Sequence, residues 1–211
     1  MNPMHTERGF DRLVNFSDAV VAIAITLLIL PLVDTATEFT GDNILDLLQE
    51  DWLKLLVFVI SFVVIGRFWL AHHRMYESIN GYNSGLLWVN LLWLMSIVFL
   101  PFPTELIATS GGDNPTTSLL YVGTMVVTSM SGAWQQWIVI RHPELQAPEA
   151  RGTIRIGPAI STAAMMVVVF IATALLPQLG LLTLLLLLLA GPLQAITRRL
   201  ARRSDAGTAA P

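Results

Sequence analysis

Six runs of roughly twenty apolar residues, each closed by turn-forming residues, take up most of this chain. A bilayer core about 30 Å thick is crossed by roughly 20 helical residues at about 1.5 Å rise each, so runs of this length are built to span a membrane. They extend from Leu13 to Val33, Trp52 to Ala71, Leu86 to Leu106, Leu119 to Ile140, Ile154 to Leu176 and Leu179 to Ile196. The connections carry the breakers: Thr40-Gly41-Asp42-Asn43, Asn80-Gly81-Tyr82-Asn83, Gly111-Gly112-Asp113-Asn114-Pro115, His142-Pro143 and Pro177-Gln178-Leu179-Gly180. Composition agrees: of 211 residues 54% are hydrophobic and 13% charged, where a soluble domain averages about 25% charge. A formal net charge of −3 leaves no basic excess for nucleic acid and is far from a disordered composition. The absence of Cys excludes disulfides, thiolate metal sites and cysteine nucleophiles. The prediction is an all-α membrane protein with six transmembrane helices, one domain over residues 1–203 and a small polar tail at 204–211 expected to be disordered. The first run lacks a small-residue cleavage site and contains Asp18, so it is read as a retained span rather than a signal peptide.

Lys and Arg are enriched in cytoplasmic loops, and their placement orients the chain. Arg8 and Arg12 precede the first run, Arg67 and Arg74 lie in or after the inner half of the second, Arg141, Arg151 and Arg155 flank the fourth loop, and Arg198, Arg199, Arg202 and Arg203 follow the last. Only Lys54 falls on the other side, so both termini are expected in the cytoplasm. The opposite side gathers Asp34, Glu38, Asp42, Asp46, Glu50, Asp51, Glu105 and Asp113. Asp42 is placed to cap a short amphipathic turn carrying Ile44, Leu45, Leu47 and Leu48 on the outer leaflet. The acidic rim either concentrates cations at an outer mouth or is an ordinary solvated loop.

Asp18 is the carboxylate clearly inside a span, and such a group costs several kcal/mol unless it is paired or faces a polar interior. At about 100° per residue, Phe16, Ala19, Ile23, Thr26, Leu27 and Leu30 form one stripe of the first helix, with Asp18 about 140° from Ile23. Arg12 projects near the stripe. Asp18 lies about two turns from the cytoplasmic end of its helix, His72 and His73 lie at similar depth in the second, and Asn90 and Trp93 return to that level in the third. A cluster of Asp18, Ser17, His72 or His73, Asn90 and an indole N–H from Trp69 or Trp93 would satisfy its members and tie three helices together. Arg67, deeper than His72, must snorkel or meet a carboxylate or carbonyl. Trp88, Trp93, Trp134 and Trp137 suit interfacial anchoring.

Arg12-x-x-x-Phe16-Ser17-Asp18, followed by Ala22-Ile23-Ala24-Ile25-Thr26-Leu27-Leu28, resembles the signature of the transmembrane-protein-175 family of endolysosomal potassium channels in its six-span prokaryotic form. Ser61-Phe62, Ile65, Trp69 and His72-His73-Arg74 are similar to that family's second helix, and Asn90 with Leu91 and Leu94 to its third. The resemblance implies a homotetramer in which the first helix of each subunit lines a central pore, with Ile23 as the hydrophobic constriction and Thr26 and Leu30 as further pore-facing rings. It also implies that Arg12, Phe16, Ser17 and Asp18 brace the pore helix from behind.

Such a pore lacks the Thr-Val-Gly-Tyr-Gly carbonyl filter of other potassium channels. A ring of Ile23 side chains forms a hydrophobic neck that gates by dewetting, and Thr26 hydroxyls replace part of a permeating ion's hydration. Alternatively, Thr26 back-bonds to a carbonyl one turn earlier. The expectation is a potassium-preferring cation channel in the cell membrane, with monovalent cations, mainly K+, as its passengers, the lipid bilayer as its surroundings, K+ passing near Thr26, and no cofactor or resident metal. Two alternatives are a proton-conducting channel on the same scaffold and a proton-coupled secondary transporter using Asp18 with His72 or His73. The His-Glu-x-x-His, Gly-x-Ser-x-Gly, Walker and dinucleotide signatures are all missing, so no enzyme is expected.

Overall fold

The computed structural model describes residues 7–39, 51–110 and 114–176, together with Leu45 and Gln49. The sixth apolar run (179–196), the tail (204–211), the Asp42-capped turn and the basic residues Arg198, Arg199, Arg202 and Arg203 lie outside the described residues.

The first apolar run folds as α1 (Glu7–Leu27) and α2 (Leu30–Glu38). Pro31 explains the joint, because it brings no N–H and its ring collides with the carbonyl four residues back, at Leu27. The chain answers by tightening: Leu28 N–H reaches Ile25 O and Ile29 N–H reaches Thr26 O, each at 3.3 Å. The third run divides in the same way, into α4 (Ser84–Phe99) and α5 (Pro101–Ser110), at the proline pair Pro101 and Pro103. Between them lies α3 (Trp52–Tyr76). Beyond come α6 (Pro115–Arg141) and α7 (Gly157–Leu175). Caps mark where polar sequence starts a helix: the Asn83 carbonyl oxygen accepts from Leu86 N–H at 2.8 Å, and that of Asn114 accepts from Thr116 N–H at 3.0 Å.

Four stretches of helix are long and apolar enough to cross a membrane: Arg8–Thr37, Trp52–Tyr76, Ser84–Ser110 and Gly157–Leu175. The 27-residue α6 is not among them, because serine, threonine and glutamine dilute it. Those hydroxyls bond back into the helix, Thr124 to Leu120 O at 2.8 Å and Ser131 to Val127 O at 2.8 Å, so they sit in the interior without unmet donors. α6 packs along both α4 and α7. Phe170 of α7 presses so closely on Gly123 that an added Cβ would lie 3.3 Å from its ring.

Two apolar clusters stack along the bundle. The larger contains Val21 and Ala24 of α1, Ile60 and Ile65 of α3, Trp93 of α4 and Met125 of α6. The smaller contains Leu13, Tyr76, Leu86, Val89 and Ile138, nearer the ends rich in arginine. At that end the loop after α3 pairs with the loop after α6: Asn80 N–H bonds Leu145 O at 2.9 Å and Ala147 N–H bonds Ser78 O at 3.0 Å. Phe10 near the start of α1 stacks on Tyr76 at 6.1 Å. These contacts draw the start of α1 and the ends of α3 and α6, which carry Arg8, Arg74 and Arg141, to one end of the bundle.

Candidate functional site

α1 shows two unlike faces. Leu13, Ser17, Val21 and Ala24, with Leu28 just past its end, are buried against α3 and α4, while Phe16, Ile23 and, at the start of α2, Leu30 stand 52%, 60% and 51% exposed. Ala19 and Thr26 lie on the same open stripe, and Leu27 borders it. The Thr26 hydroxyl donates to Ile23 O at 2.7 Å, the back-bonded arrangement. Its only proton is committed to the helix, which leaves the oxygen lone pairs available on the open side.

Polar side chains occupy the level between the two apolar clusters. Ser17 donates to Leu13 O at 2.9 Å, so its oxygen accepts the Asn90 amide N–H, also at 2.9 Å. That fixes the amide's orientation, and Asn90 Oδ1 meets His72 Nε2 at 2.8 Å. The bond order requires the proton on His72 Nε2. The His72 ring lies between Trp93, at 4.1 Å, and Tyr76, at 4.2 Å, and the Tyr76 hydroxyl donates a hydrogen bond to Gln135 Oε1 at 3.2 Å. One continuous chain therefore joins α1, α4, α3 and α6.

A second chain runs beside it. Trp69 Nε1–H donates to Asp18 Oδ1 at 2.8 Å. Trp69 stacks on His73 at 5.1 Å, and His73 Nε2 lies 3.3 Å from Glu77. The partner of Asp18 is the Trp69 indole, with neither histidine bonded to the carboxylate. Trp93 contributes a stacking face to the cluster, while the indole donor is Trp69. Arg12 is exposed and makes no ion pair or hydrogen bond among the described residues. As the wheel shows, it projects toward the open stripe. Phe16 likewise lies on that stripe.

Sequence reasoning missed Tyr76 and Gln135, and also a third polar node where Ser61 Oγ lies 3.0 Å from Thr104 and 3.2 Å from Tyr121. Gln135, a glutamine inside an apolar run, was the available signal. Lys54, the basic outlier, pairs with Asp51 at 2.9 Å and donates to Thr35 at 2.8 Å, joining α3 to α2. No group of His, Asp and Glu able to hold a metal ion is present among the described residues.

The arrangement has recognisable relatives. The family profile described as endosomal/lysosomal potassium channel TMEM175 matches residues 12–101. A potassium channel of Streptomyces collinus is 33% identical over 150 residues, covering 67% of this chain and 72% of its own. The endosomal/lysosomal proton channel TMEM175 of Homo sapiens is 27% identical over 140 residues, covering 65% of this chain and 27% of its own. The chain spans about half the length of two further curated potassium channels. In three dimensions it is similar to the crystal structure of a lysosomal potassium-selective channel TMEM175 homolog from Chamaesiphon minutus, with TM-score 0.65, 25% identity, and 88% and 97% of the two chains covered. An uncovered stripe on α1, held from behind by hydrogen bonds to α3 and α4, thus stands in the segment that the profile matches, and the chain belongs to the TMEM175 family of multi-pass membrane ion channels.

Proposed function

We propose that this protein is a potassium-preferring cation channel: six spans in one domain, both termini cytoplasmic, four copies assembled in the cell membrane with α1 of each around a central pore. The observation that carries the reading is the contrast on α1. Ile23, one turn before the end of α1, is 60% exposed, while one residue further Ala24 is fully buried. A helix pinned this firmly on one side presents the other at a fixed angle, which is what a pore-lining element needs.

Four Ile23 side chains then form a neck from which water withdraws unless it widens. Thr26, one turn outward, offers lone pairs because its proton is bonded to Ile23 O. Four such oxygens replace part of a hydration shell, and K+ gives up its shell more readily than Na+. Leu30 forms the outer ring. Ser17, Asp18, Trp69, His72, His73, Asn90 and Trp93 hold the pore helix in place, and its family is not one of enzymes.

A second reading, proton conduction through the same scaffold, draws on the printed name of the human relative and on the row Asp18, Trp69, His73 and Glu77 that runs toward the arginine-rich end. Reversal potentials in planar bilayers under opposed K+, Na+ and H+ gradients separate the two. A reversal that follows the K+ gradient supports the potassium reading, one that follows H+ replaces it with the proton reading, and electrically silent, saturable flux removes both in favour of a carrier.

A further inference from the structure

Arg67 is a charge the pore reading leaves unused. It lies nine residues before the end of α3, about 13 Å along the axis at about 1.5 Å per residue. A guanidinium at such depth is unfavourable unless something meets it. Yet Arg67 is exposed on the protomer and makes no ion pair or hydrogen bond among the described residues. Gly66 beside it has open space where a Cβ would be, and Val63 and Leu70 extend the same uncovered face.

The complementary charge exists at the same level. The bond from Trp69 to Asp18 Oδ1 sets that carboxylate two residues, about 3 Å, from the Arg67 level. Asp18 Oδ2 has no partner among the described residues. Two residues turn α3 by about 200°, so Arg67 looks away from the Asp18 of its own chain. Asn15 and Ala22, on the Asp18 flank of α1, are exposed as well. Two uncovered faces thus carry opposite charges that cannot meet within one protomer.

Copies related by rotation in a ring meet through two different patches, and rotation about the membrane normal leaves depth unchanged. Groups that pair around such a ring must lie at one depth, as these do. We infer that Arg67 of one copy bonds Asp18 Oδ2 of the next, so that each pore helix is held by Trp69 of its own chain and by Arg67 of its neighbour. This rests on the ring of copies proposed above, and it goes beyond that reading by assigning the face that closes the ring.

The chain has no Cys, so introduced thiols report alone. The test places Leu70→Cys and Asn15→Cys, three residues from Arg67 and Asp18 on the two uncovered faces and leaving both charges in place, together in the full chain, reconstituted in phosphatidylcholine nanodiscs, and treats it with a short bis-methanethiosulfonate. Covalent bands up to the tetramer are expected from the double variant and monomer alone from each single one; monomer throughout overturns the inference. In parallel, Arg67→Leu is expected to lower the tetramer fraction at least tenfold and Arg67→Lys less. Asp18→Asn, which keeps an acceptor for Trp69, should add no further loss on the Arg67→Leu background. Independent losses that multiply overturn the pairing. So does a tetramer fraction that depends on Arg67 only when phosphatidylglycerol is supplied, since a lipid phosphate is then the partner. Cation flux of the unmodified protein in the same lipid tests the pore separately: cross-linked rings without flux sink the channel and keep this contact, and flux without cross-links does the reverse.

Discussion

The two faces of α1 invert the rule that governs soluble proteins. The buried face contains Ser17, bonded through Asn90 to His72, while the uncovered one presents Phe16, Ile23 and Leu30. In water that pattern would be inside out. In a bilayer the lipid is as apolar as leucine, so apolar surface does not drive helices together, and close packing and hydrogen bonds across helices do. Serine, asparagine and histidine fasten this helix, and isoleucine is left uncovered.

The comparison breaks most readily at Asn90. Replacing it with Leu strands a donor on His72 and an acceptor at Ser17, each costing about 1–3 kcal/mol. A fall in the thermal midpoint well beyond that of any change on the open face is expected, read by tryptophan fluorescence in detergent; an unshifted midpoint would show that the chain of bonds is dispensable. Asp18→Ala comes next, since it leaves the Trp69 N–H without its acceptor, a loss of about 1–3 kcal/mol. It should reduce assembled protein on size-exclusion chromatography while the surviving channels keep the ion ratio of the parent. Well-folded rings with altered ion ratios would instead place the carboxylate on the conduction route.

Changes on the other face should leave folding alone. Ile23→Asn removes apolar surface that the protomer does not bury, so its stability should move by no more than about 0.5 kcal/mol. Wetting the neck should raise single-channel current several-fold and weaken the preference for K+ over Na+. Equal currents from the two proteins would take Ile23 out of the pore. The smallest effect is reserved for Thr26→Val, which keeps the shape and removes the oxygen: unchanged stability and a modest drop in the K+ to Na+ permeability ratio, measured by bi-ionic reversal.

How much of this was legible can be judged residue by residue. The stripe through Ile23, Thr26 and Leu30 and its separation from Asp18 follow from helical spacing, and the shared depth of Asp18, His72 and Asn90 follows from counting turns. Which indole reaches Asp18 was not legible, because Trp69 and Trp93 lie at comparable depth and only the relative rotation of α3 and α4 distinguishes them. Neither was the link from Tyr76 to Gln135, which crosses 59 positions. Arg12 shows the opposite case: its wheel position argued against a bracing role, and the structure leaves it uncovered.

By sequence alone this protein was committed to a membrane, to helices long enough to cross it, and to some partner for a lone carboxylate, since all three follow from local composition and the cost of an unmatched charge in lipid. Only the tertiary structure decided which face of α1 is sealed and which donor satisfies Asp18. In a bilayer, hydrophobic periodicity does not distinguish protein-facing from lipid-facing surface, and the relative rotation of packed helices is set by contacts far apart in the chain.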